Sequence, residues 1–205
     1  MIDILLIVLC AQAYVGISSL AASSIYTLDA LNCFRSSNYY YFLTSEEYYY
    51  GKYAFPKLLL ESFYASQANF SYIDLIVYVY ESSNGTNDGY VFANYLLANN
   101  IRFNTLWVNP SFANTIPSYN SYYQSFMEAI KLSMSGVFLG IATSLPDWNT
   151  RIRSSYFSQY TLLYYGTNSY DFNDFIPDFE WSKPAMKIYR NSNSMCGEST
   201  NFAIY

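Results

Sequence analysis

The stretch "IDLIVYVYESSNGTNDGYVFANYLLANNIRFNTLWV", residues 73–108, decides the fold. Its first eight residues, Ile73 to Tyr80, run almost without a break in apolar, β-branched and aromatic side chains, as a strand covered on both faces does. "GYVFANYLLANN" (89–100) then reads as a helix, ending on Asn99 and Asn100, a residue type that tolerates the left-handed conformation of a helix end. "NTLWV" (104–108) is apolar and strand-like again. A strand, a helix and a second strand in that order predict a parallel pair joined by a crossover.

The alternation continues in both directions. Upstream, "YVGIS" (14–18) and "YYYFL" (39–43) read as strands. Between them Ser24 is the expected N-cap of a helix with Ile25, Leu28, Leu31 and Phe34 on its apolar face. After Phe55, Pro56 suits a first helical position, and "KLLLESFYASQ" (57–67) continues as a helix. Downstream, "SYYQSFMEAIKLSMSG" (121–136) is a helix closed by Gly136, and "VFLGIA" (137–142), "TLLYYG" (161–166) and "AMKIYR" (185–190) are strands. Four or five repeats of this kind predict an α/β chain built as a closed β/α barrel with fewer than eight helices, an open doubly wound sheet being the alternative. No linker, charge block or repeat divides residues 14–205, so one domain is expected.

Composition narrows the chemistry. The chain has 205 residues, 25 of them Tyr and 15 Phe, with 12% charged residues and a formal net charge of −5. Its ten Lys and Arg are scattered, so no phosphate-binding patch and no nucleic-acid partner is expected. Histidine is absent, which excludes nucleophilic triads built on His and removes the commonest zinc ligand. No cofactor is implied, and the acidic cluster Asp171, Asp174, Asp178 and Glu180 lacks the spacing of a calcium loop, so no metal site is expected.

The first residues read as a signal peptide: an apolar run from Ile4 to Cys10, too short to span a bilayer, precedes Ala11-Gln12-Ala13. Cleavage is expected before Tyr14, leaving residues 1–13 as the leader and no transmembrane segment. Cys33 and Cys196 then remain to pair in an oxidising compartment. The sequons at Asn69 and Asn84 agree with a secreted, extracellular or lumenal glycoprotein.

Several pieces then carry a resemblance. "YVGISS" (14–19), "LWV" (106–108), "GIATSLPDW" (140–148), "FEWSKPAMKIY" (179–189) and "MCGESTNFAIY" (195–205) follow one another in the order of the motifs of glycoside hydrolase family 25 lysozymes, notably the nematode and amoeba branch. The chain resembles that family from Tyr14 to Tyr205. The resemblance implies a modified, TIM-like β/α barrel and cleavage of the muramic acid to glucosamine bond of bacterial cell walls. It also implies acids at the C-terminal ends of the strands, where the chemistry of such barrels sits. Here the opening Asp is Gly16, the Asp-x-Glu is Asn109-Pro110-Ser111, the Asp expected in "IVYVY" is Ile76, and the closing Asp is Asn201. Amides, Ser, Gly and Ile cannot donate a proton to a leaving oxygen or stabilise a glycosyl cation as carboxylates do. The expected protein is therefore a lysozyme-like pseudoenzyme, with Glu81 the fallback acid if turnover survives.

What such a scaffold keeps is a groove. Trp107, Tyr78, Tyr80, Trp148 and Trp181 are expected at strand ends or the loops above them, where flat rings stack on sugars, so a peptidoglycan or chitin-like saccharide is the expected partner. Tyr39 to Tyr41, Tyr48 to Tyr50, Tyr122-Tyr123 and Tyr164-Tyr165 make a Tyr-rich surface for protein partners, as in an extracellular assembly, the rival expectation. Glu81 and Asp74 are expected as solvated or helix-cap groups, and Asp147 and the cluster Asp171, Asp174, Asp178 and Glu180 as surface charge in polar loops.

Overall fold

The computed structural model describes residues 15–19, 25–48, 56–80, 84–110, 119–152, 154–167, 169–177 and 181–205. The expected leader, Ser24, Glu81 and Ser111 lie outside these residues. Eight strands close into one barrel in chain order: β1 (Val15–Ser18), β2 (Tyr41–Tyr48), β3 (Tyr72–Val79), β4 (Thr105–Asn109), β5 (Phe138–Thr143), β6 (Thr161–Gly166), β7 (Met186–Met195) and β8 (Glu198–Ile204). Neighbours from β1 to β7 are parallel, whereas β8 runs antiparallel between β7 and β1 and completes the circle. Closure rules out the open sheet. Four helices cover the crossovers: α1 (Leu28–Ser36), α2 (Pro56–Gln67), α3 (Gly85–Ala98) and α4 (Tyr119–Ser133). The β5–β6 connection holds only short helical turns, Leu145–Asp147, Trp148–Ile152 and Ser155–Gln159.

Local chemistry explains the ends. Thr27 caps α1 by accepting from the Ala30 N–H at 3.2 Å, so that helix starts later than Ser24 would set it, and Leu31 and Phe34 remain on its buried face. Asn84 caps α3 by accepting from Asn87 N–H at 2.9 Å, and Asn100 just past its end takes φ 50°. Strand β2 starts at Tyr41 and runs on through Thr44-Ser45-Glu46-Glu47, five residues beyond the expected end at Leu43. The β7–β8 hairpin turns on Cys196 and Gly197, both at positive φ (56° and 80°), as a tight two-residue turn requires.

Two layers of core result. Inside the barrel, Tyr41, Leu43, Ile76, Trp107, Ala142, Leu163, Met186, Ile188 and Ala203 fill the interior. Outside it, the helices press larger clusters against the opposite faces of the strands. Helices α3 and α4 approach closely because α3 carries Gly89, where a Cβ would lie 2.4 Å from the Phe126 carbonyl oxygen. Each large side chain fully withdrawn from water stabilises by about 2 to 3 kcal/mol. Cys33 on α1 and Cys196 in the hairpin form a disulfide, S–S 2.07 Å with Cα atoms 5.8 Å apart.

Five of the tyrosines expected on an interaction surface serve this core instead, while Tyr40 is exposed, Tyr39 and Tyr165 are half-buried, and Tyr49 and Tyr50 lie outside the described residues. Tyr41, Tyr48, Tyr122, Tyr123 and Tyr164 are buried. Tyr48 packs edge-on against Phe92, and its hydroxyl sits 3.4 Å from the Asp88 carbonyl.

Candidate functional site

Strand alternation and register sort the interior into layers. Tyr41, Asp74 and Trp107 lie toward the N-terminal ends of the strands. Gly16, Leu43, Ile76, Ala142, Leu163 and Ala203 make the middle. Glu47, Tyr78, Asn109, Tyr165 and Asn201 make the upper layer, where the strands run out into loops.

The positions of the expected acids converge on this interior. Gly16 pairs with Tyr41 on one side and Ala203 on the other, and a Cβ there would come within 3.0 Å of Tyr41 Cβ, so an acidic side chain would require Tyr41 to shift. Ile76 is buried in the apolar middle. Asn109 ends β4, buried, with its side chain near the Tyr165 hydroxyl. Asn201 is half-buried across from Ser18. Tyr78 and Tyr165 meet hydroxyl to hydroxyl at 3.0 Å. Burial, and then the Tyr78 hydroxyl, pushes the Tyr165 phenol far above its ordinary range, so it stays a neutral donor and acceptor. Tyr80, half-buried, follows β3 and donates its backbone N–H to the Tyr48 carbonyl at 3.0 Å.

The tryptophans sit elsewhere than over a groove. Trp107 is 3% exposed in the barrel interior, its ring against Gly140 and its indole N–H donating to Asp74 Oδ2 at 2.6 Å. Trp148 and Trp181 are buried outside the barrel, their rings 4.7 Å apart, and Trp181 Nε1 donates to the Tyr160 carbonyl at 2.9 Å. The short turns after β5 fold both rings under the loop, where their large apolar area is removed from water. The sequon residues Asn69 and Asn84 are both exposed.

Three fully buried charged groups, Asp74, Glu61 and Lys187, were not legible as such. Asp74, expected as solvated charge, is fully buried and accepts from the Tyr41 hydroxyl, Trp107 Nε1 and, at 2.9 Å, the Thr105 N–H. Burial pushes its carboxyl up to about 6, against the pull of those donors. A raised carboxyl favours the folded state below the unfolded value near 3.8, and that contribution is lost as pH rises through 6. Between pH 4 and 6.5 the stability of the wild type should therefore fall relative to Asp74→Asn, by roughly 2 kcal/mol. Urea denaturation of both proteins across that range measures it, and parallel curves would sink the assignment.

Glu61 on α2 is also fully buried, accepting from Ser19 Oγ (2.9 Å), Thr44 Oγ1 (2.5 Å) and the Tyr26 N–H (2.9 Å). Burial raises its carboxyl and lowers the Lys57 ammonium one turn away. Their i, i+4 spacing was the available signal; it reads equally well as a solvated pair. Lys187 on β7 is fully buried, donating to Ser169 Oγ (2.9 Å), the Asp171 carbonyl (2.7 Å) and Asp174 Oδ1 (2.6 Å). Asp174 is thus an anchor of its loop rather than free surface charge. Asp147 pairs with Arg151 at 3.2 Å, both about a third exposed.

A cavity of about 1030 Å³ opens at the opposite, N-terminal mouth, lined among others by Tyr41, Tyr72, Arg102, Phe138 and Tyr205. None of its lining side chains is an Asp or Glu. Among the described residues no group of three or more His, Cys, Asp or Glu is placed to hold a metal ion, and no helix is long and apolar enough to cross a membrane.

An eight-stranded barrel with one antiparallel closing strand and its polar layer at the strand C-termini is the β/α barrel of family 25 type, and solved structures share it. The family 25 glycosyl hydrolase from Bacillus anthracis superposes with a TM-score of 0.64 at 10% identity, covering 93% of this chain and 88% of that one. The modular autolysin LytC from Streptococcus pneumoniae, solved in complex with a synthetic peptidoglycan ligand, gives a TM-score of 0.66 at 10% identity; the alignment covers 94% of this chain but 46% of LytC. In sequence, the probable GH family 25 lysozyme 2 of Dictyostelium discoideum is 25% identical over 190 residues, 89% of this chain and 87% of that protein. The family model described as Lysozyme-like protein 1 matches residues 14–189. The chain belongs to this lysozyme-like family.

Proposed function

We propose that this chain is a secreted lysozyme-like protein that holds a peptidoglycan or chitin-like saccharide at the upper face of its barrel without cutting it. The residues matched by resemblance carry the reading: Gly16, Ile76, Asn109, Ser111 and Asn201 are the positions to which the resemblance to family 25 enzymes assigns acids. Losing one general acid or base costs about 100- to 10,000-fold in rate, and here the whole set is neutral. The Tyr78–Tyr165 hydroxyl pair offers donors and acceptors for sugar hydroxyls in the upper layer. The saccharide seen on LytC supports the ligand class. The apolar leader with Ala11-Gln12-Ala13, the exposed sequons and the disulfide support secretion.

The test is reducing-sugar release from purified peptidoglycan by the mature protein, beside a family member that retains its Asp-x-Glu. No release above background is expected, together with retention of the protein on the insoluble wall. Turnover within about tenfold of the control would overturn the reading, since even one such loss costs more, and Glu81→Gln would then show whether that residue supplies the acid.

A further inference from the structure

The lower mouth of the barrel lies at the far end from the upper layer. Its cavity of about 1030 Å³ is walled by the starts of β2, β3, β4 and β5 and by the turns that follow α3 and α4. That is the size of a site for a small organic ligand. Tyr72, Leu97 and Phe138 reach it with 50%, 52% and 73% of their surface exposed, although large apolar side chains gain most when withdrawn from water. Phe103 and Tyr205 add further aromatic wall, the Tyr205 ring lying 4.6 Å from that of Tyr41. Exposed apolar side chains gathered around one cavity mark a binding groove.

The polar groups of the lining narrow the ligand. The Tyr41 hydroxyl donates to Asp74, Asn104 Oδ1 accepts from the Ile73 N–H at 2.9 Å, and Ser133 Oγ donates to the Ala129 carbonyl at 2.9 Å. Turned into the protein in this way, they leave few partners for the many hydroxyls of a sugar. Arg102 differs. It is exposed, it is the one charged side chain among the described residues that line the cavity, and it has no hydrogen-bond or salt-bridge partner among the described residues. The end of α3 does not engage it, since the Leu96 and Leu97 carbonyls accept from the Ile101 and Asn100 N–H at 3.0 and 3.1 Å. On its other side Arg102 borders a smaller cavity of about 280 Å³ between α2 and the end of α3, again lined by no Asp or Glu. Asp74 is fully buried behind Tyr41 and already accepts from three donors.

We propose that the lower mouth binds a fatty acid, its alkyl chain lying against Tyr72, Phe103 and Phe138 and its carboxylate on Arg102. The site is independent of the saccharide reading, which concerns the other end of the barrel. Charge complementarity selects the headgroup: a guanidinium with no acid lining the cavity on either side of it holds a carboxylate through two parallel N–H···O bonds. The alkyl chain in turn removes from water the aromatic area that the fold leaves bare.

Titration calorimetry at neutral pH, below micelle-forming concentrations, compares dodecanoate with dodecyltrimethylammonium, the same chain under the opposite charge. Nonspecific attraction to an acidic protein would favour the cation. Dodecanoate should instead bind about tenfold tighter, and Arg102→Gln should remove most of that preference. Phe138→Ala should weaken both ligands, and decanoate should bind about tenfold more weakly than dodecanoate. Both substituted side chains are exposed, so the fold should tolerate the changes. No binding of dodecanoate, equal affinity for the two amphiphiles, or affinities that neither variant changes would each overturn the site. Sedimentation with vesicles of phosphatidylcholine and phosphatidylglycerol in equal parts, by a protein that ignores free dodecanoate, would assign the face to a membrane surface and overturn it likewise.

Discussion

Trp107→Ala should lower the stability of the folded chain by about 3 to 5 kcal/mol, the usual cost of emptying a large aromatic from a packed interior. The ring is 3% exposed, and it fills the space over Gly140, where a Cβ would lie 2.3 Å from ring carbons. Its loss also strips Asp74 of the indole donor at 2.6 Å, leaving a buried carboxyl with the Tyr41 hydroxyl and the Thr105 N–H. Thermal denaturation should register a fall on the order of 10 °C for a chain of this size. Were the ring a sugar-stacking platform at the groove, its removal would weaken binding and leave the melting temperature within a degree or two. That outcome would place Trp107 outside the interior.

Replacing Cys33 and Cys196 together by alanine should cost about 4 to 5 kcal/mol, because the bridge joins residues 163 apart and restricts the unfolded chain over almost its whole length. Guanidinium unfolding of the wild type with and without reductant, beside the double variant, gives the number. The reduced wild type and the double variant should coincide. A difference below about 1 kcal/mol between oxidised and reduced protein would mean that the α1–hairpin contact holds without the bond, or that the unfolded chain is already compact there.

The barrel was legible because its strands are apolar on both faces and its crossovers carry helical spacing. "IDLIVYVY" could hardly be read otherwise. Strand β2 was cut short in the reading because Thr44, Ser45, Glu46 and Glu47 look like a loop. They are a strand crossing from the apolar middle of the barrel to its polar rim, with Thr44 bonded to Glu61 outside and Glu47 turned to the mouth. That truncation hid Glu47. The resemblance singled out Gly16, Ile76, Asn109 and Asn201, and the barrel carries all four on its inward rows. The tryptophans were not placed, since a ring's burial depends on how short turns fold the loop over it, and the turns from Leu145 to Gln159 carry no periodic signal. Asp74 was missed for a related reason: nothing in "YIDLIV" tells a solvated Asp at a strand start from one facing Tyr41 and Trp107 across the interior.

The antiparallel β8 has a consequence for how the molecule comes into being. Ribosomes deliver β1 first and β8 last, yet Val15 pairs with Ile204 and Ser18 with Asn201. Until residues 198–204 have emerged, β1 and β7 remain two open edges of a strongly apolar sheet, the kind of edge that recruits strands from neighbouring chains. Closure joins the first of the eight strands to the last, and contacts at such separation form slowly. Oxidation of Cys33 with Cys196 cannot precede emergence of the hairpin, so the bond locks a ring that has already met its own tail.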